Sequence, residues 1–323
     1  MKAKGQELAE RIAERFCQEK TVDCSPIVGR GFVNQVYSVE TRSRKLIVRL
    51  NTADRYAEYV KEEWCIRQAA AAGIPGPTVL AIGVEDGYAY MLQSWVKGVN
   101  GLDTDYPENV IWRRLGEYAR LIHAIPVQGY GGDLENANQG LFDNPPHPGS
   151  DGSWQDHIRY NIDSLNDSDP LLARGVITEN ESRQIKTIFE QLAVQSFQFG
   201  LIHGDLSVKN VLVEQGEGAA AGEVTIALLD WGAAEVHPVP HGEVIQLMQT
   251  QFQGGMPNHE QLEAFYEGYG LPDEQRADTK KLMLLRAVDT LRWAVDRAPE
   301  QFETFAGWVR HSVRMNLDPD TKN

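Results

Sequence analysis

The sequence predicts an α+β chain, with β-prone runs early and mostly helix after Pro107. Three observations predict it. Alternating, β-prone runs crowd the early part of the chain: QVYSVE, LIVRL and the pair of runs on either side of Glu85–Gly87. Apolar residues at helical spacing dominate after Pro107. One hairpin interrupts those helices. Val211–Val213 and Thr225–Leu229 are β-prone, and the turn-rich segment Glu214–Val224 between them holds three glycines.

Taken in order, Leu8, Ala9, Ile12 and Phe16 place an amphipathic helix over Gln6–Lys20. Gly29-x-Gly31-x-x-Asn34 follows, set between strand-like runs. A dinucleotide fingerprint would need a helix there, so the cluster reads as a hairpin turn or as a loop laid over phosphates. KLIVRLN carries Arg49, with Lys45 facing water at its start, and a helix is expected around Tyr56–Ala72. Two strands after GIPGP lead into a hinge at Gln93–Val96. Ile111, Leu115, Tyr118 and Ile122 make Pro107–Ile125 a helix with one apolar stripe, where His123 reads as a cap or core residue. Pro126–Ser153, rich in Gly, Pro, Asn and Asp, reads as a long loop. Helices are expected at Trp154–Leu165 and Thr178–Phe197, and Ala233–Pro240 reads as an irregular connection. Four more helices are expected at Glu243–Gln251, Glu260–Tyr269, Ala277–Arg297 and Gln301–Met315.

The 323-residue length allows one large or two moderate domains. The formal charge of −15 leaves no basis for a nucleic-acid partner and can draw in cationic ligands. Cys17, Cys24 and Cys65 have no metal-like spacing and suggest a reduced, cytoplasmic setting. The N-terminus lacks a signal-peptide core, and no apolar run reaches the ~20 residues of a membrane span, so no membrane partner is expected.

The chemistry gathers at LIHGDLSVKN and TIALLDWG. A hairpin that leaves Asn210 and returns at Asp230 sets these two oxygen donors side by side, with Asp205 on the preceding loop. Hard oxygen donors suit Mg²⁺, which takes one or two protein oxygens plus waters and substrate phosphates. The remaining carboxylate can accept a proton from an attacking hydroxyl. Each aspartate alone could equally be a helix cap or an Asx-turn. The two motifs in this order, a hairpin apart, point to phosphoryl transfer.

HGDLSVKN and LLDWG, with GIPGPTVLAIG upstream, resemble the aminoglycoside phosphotransferase family of protein-kinase-like small-molecule kinases. The resemblance implies a kinase-like bilobal fold hinged near residue 95, a small β-rich lobe over residues 1–95 and a mostly helical lobe over residues 96–323. It implies Asp205 as the base, Asn210 and Asp230 on Mg²⁺, and ATP or GTP as co-substrate. It places Gly29, Gly31 and Asn34 over the phosphates and Arg49 beside them, an arginine as in hygromycin-type members. The partner of Arg49 would be Glu62 or Glu63; counting back from GIPGP favours Glu62. Gln93 and Trp95 would meet the nucleotide base. His203 would brace the catalytic loop, and Lys209 would reach a phosphate or stay at the surface. The acceptor would be a hydroxylated small molecule, of aminoglycoside type and cationic, met by the acidic segment that holds Asp151 and Asp156. Kinases of macrolides, choline, homoserine or sugars, and a nucleotide-binding pseudoenzyme, are the alternatives. A protein kinase fits less well, because the interval from the metal motif to the next helix is short for an activation loop. One departure is plain: where many members carry Gly-Asp-Pro, this chain has His237-Pro238, with Glu243 further on.

Overall fold

The structure, a computed structural model, describes residues 4–27, 35–147, 149–216 and 224–318. The chain forms two compact units, Met1–Arg114 with Asp205–Ala234, and Leu115–Gly204 with Glu235–Asn323. This division differs from a single cut at residue 95, for a reason given below.

Among the described residues the elements run α1 (Lys4–Cys17), β1 (Thr21–Pro26), β2 (Gln35–Thr41), β3 (Lys45–Thr52), α2 (Tyr56–Ala71), β4 (Val79–Glu85), β5 (Tyr88–Ser94) and β6 (Val99–Asn100). Then come α3 (Glu108–His123), β7 (Gln128–Gly129), β8 (Asp133–Asn136), β9 (Leu141–Asp143), α4 (Trp154–Asp163), α5 (Pro170–Ala173) and α6 (Glu179–Val194). The rest are β10 (Phe199–Ile202), β11 (Val211–Gln215), β12 (Val224–Leu228), β13 (Glu235–Pro238), α7 (His241–Phe252), α8 (His259–Tyr269), α9 (Asp273–Arg297) and α10 (Phe302–Leu317).

In the first unit an antiparallel sheet runs β1-β2-β3-β5-β4. The α1 stripe of Leu8, Ala9, Ile12 and Ala13 is buried with Val39, Leu46, Val48 and Leu50 of the sheet. Strand β3 is central, so Arg49 on it is paired by neighbours on both sides and buried. The predicted hairpin forms, with Val211 opposite Leu228 and Val213 opposite Ile226. Strand β6 then adds to β11, and Asn100 Nδ2 donates to the Lys209 carbonyl at 2.8 Å. These bonds carry the segment beyond residue 95 into the same unit as the hairpin.

The second unit is helical around a core that includes Ile158, Ile185, Phe189, Leu284, Leu291 and Trp308. Its helices start where capping chemistry allows. Thr178 with Glu181 and Asn258 with Gln261 form capping boxes, and Gly270 closes α8 in the left-handed conformation. Two expectations fail here. The stretch Pro126–Ser153 is not only loop: β7, β9 and β8 form a small sheet. Its glycines mark close backbone approach, since a Cβ on Gly129 would stand 1.9 Å from the Phe142 carbonyl oxygen. The Ala233–Pro240 connection contains strand β13, which pairs antiparallel with β10. That strand is buried along most of its length, so it shows no alternation to read. No described helix is long and apolar enough to cross a membrane.

Three histidines of this unit are buried in neutral form. Burial pushes His123 and His237 down to about 3, and His241 down to about 4. His123 Nδ1 meets the Tyr269 hydroxyl at 2.9 Å, which makes it a core residue, and His241 Nδ1 meets Thr279 Oγ1 at 2.8 Å. The unfolded chain takes up these protons near the ordinary histidine range while the folded chain refuses them. Stability is therefore fully present above about pH 6.5 and is lost as pH falls, by up to about 1.4 kcal/mol per pH unit for each histidine. Urea midpoints should fall between pH 7.5 and 5.5, and His237→Asn should shrink that slope by about one proton. Midpoints that do not move with pH would contradict the buried neutral state.

Candidate active site

The site is built from two directions within the first unit. From the sheet, Arg49 projects off β3 and its Nη1 is hydrogen-bonded to Glu62 Oε1 of α2. Both side chains are almost sealed, at 10% and 3% exposure. Burial works against the guanidinium charge, but Glu62 and Asp230 more than offset it, so Arg49 is held above its ordinary value. Burial raises the Glu62 carboxyl, opposed by Arg49 and by the backbone N–H of Trp231. Glu63 instead faces outward, 3.9 Å from Arg67. The helix register thus selects Glu62 of the two candidates.

From the other direction comes the loop after β10. Its first residues are fixed in the second unit: His203 and Gly204 donate their backbone N–H groups to Glu243 Oε2 at 2.8 and 3.5 Å. His203 and Glu243 are both completely buried. One buried carboxylate thus meets both backbone N–H groups at the start of this loop. Asp205 follows, and a 3-10 turn at Val208–Asn210 folds the chain back on it. Asn210 Nδ2 donates to the Asp205 carbonyl at 2.9 Å and to Asp205 Oδ2 at 3.0 Å. Lys209 Nζ pairs with the same Oδ2 at 2.9 Å.

The hairpin brings the third residue home. Leu229 N–H donates to the Asn210 carbonyl at 2.9 Å, which sets Asp230 next in line. Asp230 lies at φ +60°, in the left-handed region, and its side chain is 52% exposed. Arg49 Nη2 is 3.4 Å from Asp230 Oδ1, so one guanidinium bridges Glu62 and Asp230. The donor set fits a hard divalent cation. With its amide N–H groups turned to Asp205, Asn210 keeps Oδ1 as an acceptor, and Asp230 adds a half-exposed carboxylate.

The remaining predicted residues are placed as follows. Gln93 is buried on β5, with Nε2 3.0 Å from Met91 Sδ. Trp95 lies just past that strand, and Lys45, exposed as expected, rests its Nζ 3.9 Å from the ring centroid. Gly29, Gly31 and Asn34 lie outside the described residues. Asp151 and Asp156, in the second unit, tie up the start of α4. Ser153 N–H donates to Asp151 Oδ1 at 2.9 Å, Asp151 N–H donates to Asp156 Oδ2 at 2.7 Å, and Arg159 pairs with Asp156 Oδ1 at 2.7 Å. Sequence reasoning left Glu243 without a role and did not pair Lys209 with Asp205. An acid–base spacing of four residues was the available signal for Lys209; nothing local marks Glu243.

The sequence matches the phosphotransferase enzyme family over residues 26–285. A curated relative, described as a probable ketoamine kinase of Staphylococcus aureus, is 26% identical over 212 residues, covering 61% of this chain and 66% of that protein. The fold is similar to the crystal structure of aminoglycoside phosphotransferase APH(4)-Ia, with TM-score 0.66 and 19% identity over 96% of this chain and 98% of that one. It is also similar to spectinomycin phosphotransferase APH(9)-Ia, solved with ADP and spectinomycin, with TM-score 0.52 and 15% identity over 98% of each chain. A variant of APH(4)-Ia solved with AMP-PNP and hygromycin B matches with TM-score 0.63 and 19% identity, covering 96% of this chain and 99% of that one. These likenesses establish a protein-kinase-like fold.

The Arg49–Glu62 pair makes a direct prediction. Glu62→Ala strands a buried charge and should cost about 3–5 kcal/mol, whereas Glu63→Ala should stay within about 0.5 kcal/mol. Urea unfolding of both variants is the measurement, and equal losses would mean that Arg49 does not depend on Glu62.

Proposed function

The chain belongs to the phosphotransferase enzyme family, and on that premise we propose that it moves the γ-phosphoryl group of ATP or GTP to a hydroxyl of a small molecule. The observation that carries this reading is the convergence of Asp205, Asn210 and Asp230 on one loop and hairpin, with Arg49 bridging Asp230 to Glu62. Asp205 accepts the proton of the acceptor hydroxyl, a contribution of about 10²–10⁴-fold for a positioned base. Asn210 and Lys209 fix the rotamer of that carboxylate through Oδ2, so the base is oriented before the acceptor arrives. Arg49 offers positive charge to the nucleotide phosphates, and Glu62 prevents it from rotating away. Mg²⁺, held by Asn210 and Asp230, would neutralise phosphate charge. Most of the rate is then positioning and charge compensation rather than covalent chemistry. Gly29, Gly31 and Asn34 serve the phosphates in this reading, and the segment at Gln93 and Trp95 meets the base.

The acceptor in this proposal is an aminoglycoside-type antibiotic, drawn by the net charge of −15 and by the acidic segment around Asp151 and Asp156. One observation favours a second acceptor class. Both aspartates are engaged in local bonds at the start of α4, and the curated relative is described as a ketoamine kinase. A less charged sugar derivative suits those facts better than a polycation.

Two experiments follow. Asp205→Asn should abolish phosphoryl transfer and leave the affinity for Mg-nucleotide nearly unchanged, because Asn210 and Asp230 are untouched. Turnover at a similar rate would remove Asp205 from the role of base. Nucleotide consumption with ATP or GTP is then measured against a panel of aminoglycosides, macrolides and ketoamine sugars at several salt concentrations. With a polycationic acceptor, KM should rise steeply with ionic strength, since attractions beyond a Debye length of about 8 Å are screened at physiological salt. A KM insensitive to salt would dismiss the aminoglycoside and select the weakly charged acceptor.

A further inference from the structure

Asp230 adopts a left-handed backbone conformation at φ +60°, which a residue with a side chain holds only when its surroundings enforce it. The enforcing contacts lie within the first unit. Before Asp230, the Leu229 N–H is fixed on the Asn210 carbonyl at 2.9 Å. After it, the Trp231 N–H is bonded to the Glu62 carboxylate. The segment then closes on itself, with the Ala234 N–H donating to the Trp231 carbonyl at 3.1 Å. At the far end of that turn the Ala234 carbonyl accepts a hydrogen bond from Lys61 Nζ at 3.0 Å.

Lys61 and Glu62 are consecutive residues of α2, so one helix grips the turn Trp231–Ala234 at both ends. Glu62 alone does not suffice for this, because its carboxylate also carries the Arg49 charge. A turn held only at Trp231 could pivot about that bond and carry the Asp230 carboxylate with it. The ammonium-to-carbonyl bond is charge-assisted and, at 3.0 Å, of ordinary length. Lys61 is also half-buried, unlike an ordinary solvated lysine.

We propose that Lys61 is a positioning residue of the phosphoryl-transfer site: by holding the Ala234 carbonyl it fixes the turn that presents Asp230, and so sets the affinity for the divalent cation. It acts through the backbone and touches neither the cation nor the nucleotide. The inference rests on the reading of Asn210 and Asp230 as the cation-holding pair.

The test uses the full chain with Mn²⁺ as the probe. Mn²⁺ is titrated in the presence of a non-hydrolysable ATP analogue, and loss of the free-ion EPR signal reports binding without turnover. Hydrogen–deuterium exchange over residues 229–236 is followed in parallel. Lys61→Met should weaken Mn²⁺ binding by about tenfold, the scale of an outer partner of a metal ligand. It should also speed exchange in that segment and leave metal-free binding of the analogue unchanged. Lys61→Arg, which still donates, should restore most of the affinity. If Lys61→Met does not fold, Lys61→Gln, shorter and uncharged, is held to the same two readouts. Wild-type Mn²⁺ affinity and wild-type exchange in a folded variant without the lysine would overturn the proposal. Failure of the wild-type chain to bind Mn²⁺ with the analogue would overturn the cation-site reading itself.

Discussion

Arg49 places a full charge on the central strand of a sheet, and much of the first unit follows from accommodating it. A guanidinium cannot shed its proton, so burial must be matched by a counter-charge. Glu62 provides one, but only if α2 docks with that residue turned inward, and Tyr59, Trp64, Cys65, Ile66 and Ala69 are buried on the same helix to hold it there. The carboxylate then has a second lone-pair direction to satisfy, which it does on the Trp231 N–H. Asp230 supplies the remaining negative charge at the outer edge of the guanidinium. A chain of single contacts thus links the strand, the helix and the hairpin, and its Arg49–Glu62 member is costly to break because either partner alone would be a buried, unmatched charge.

The loop over residues 203–210 solves a different problem, that of irregular backbone needing hydrogen-bond partners away from water. Glu243 answers for His203 and Gly204, and Asn210 answers for the Asp205 carbonyl. Such a loop is stiff without being regular. In the proposed reaction such anchoring matters, because a base displaced by even an ångström loses much of its advantage over water. The Lys209 pair adds orientation to Asp205 more than stability, since both side chains are nearly half exposed and such pairs contribute little to folding.

What was legible in the sequence was what local pattern encodes. The hairpin and its register could be read because two β-prone runs flanked a turn-rich interval. Glu62 could be preferred over Glu63 because the helix has a fixed period and GIPGP marks its end. Other features were silent. Glu243 lies about forty residues beyond the loop it braces, and Lys61 donates to a carbonyl 173 residues away; no period or turn signal spans such distances. Strand β13 was missed because burial on both faces erases alternation. The sheet within Pro126–Ser153 was missed because glycines that permit close backbone contact look the same, in sequence, as glycines that permit a loop.

This contrast bears on why the reaction was easier to read than the acceptor. Phosphoryl transfer needs a few oxygen and nitrogen donors at fixed backbone offsets, and the residues proposed for it here, Arg49, Asp205, Asn210 and Asp230, stand in short motifs within the first unit. Recognition of an acceptor needs charge and shape drawn from many elements, and much of the second unit's charge already has internal duties. Arg292 joins Asp169 at 2.7 Å and Asn161 Oδ1 at 2.8 Å within its core, and Asp151 and Asp156 hold the start of α4. The total of −15 already has these acid–base pairs cancelled in it, and it counts the excess carboxylates without saying where on the chain they stand. Asp156 is paired with Arg159, whereas Asp151 bonds the Ser153 backbone N–H and keeps its full charge. The acceptor must be argued from groups that remain uncompensated, and a net charge counted from the sequence cannot distinguish those from the rest.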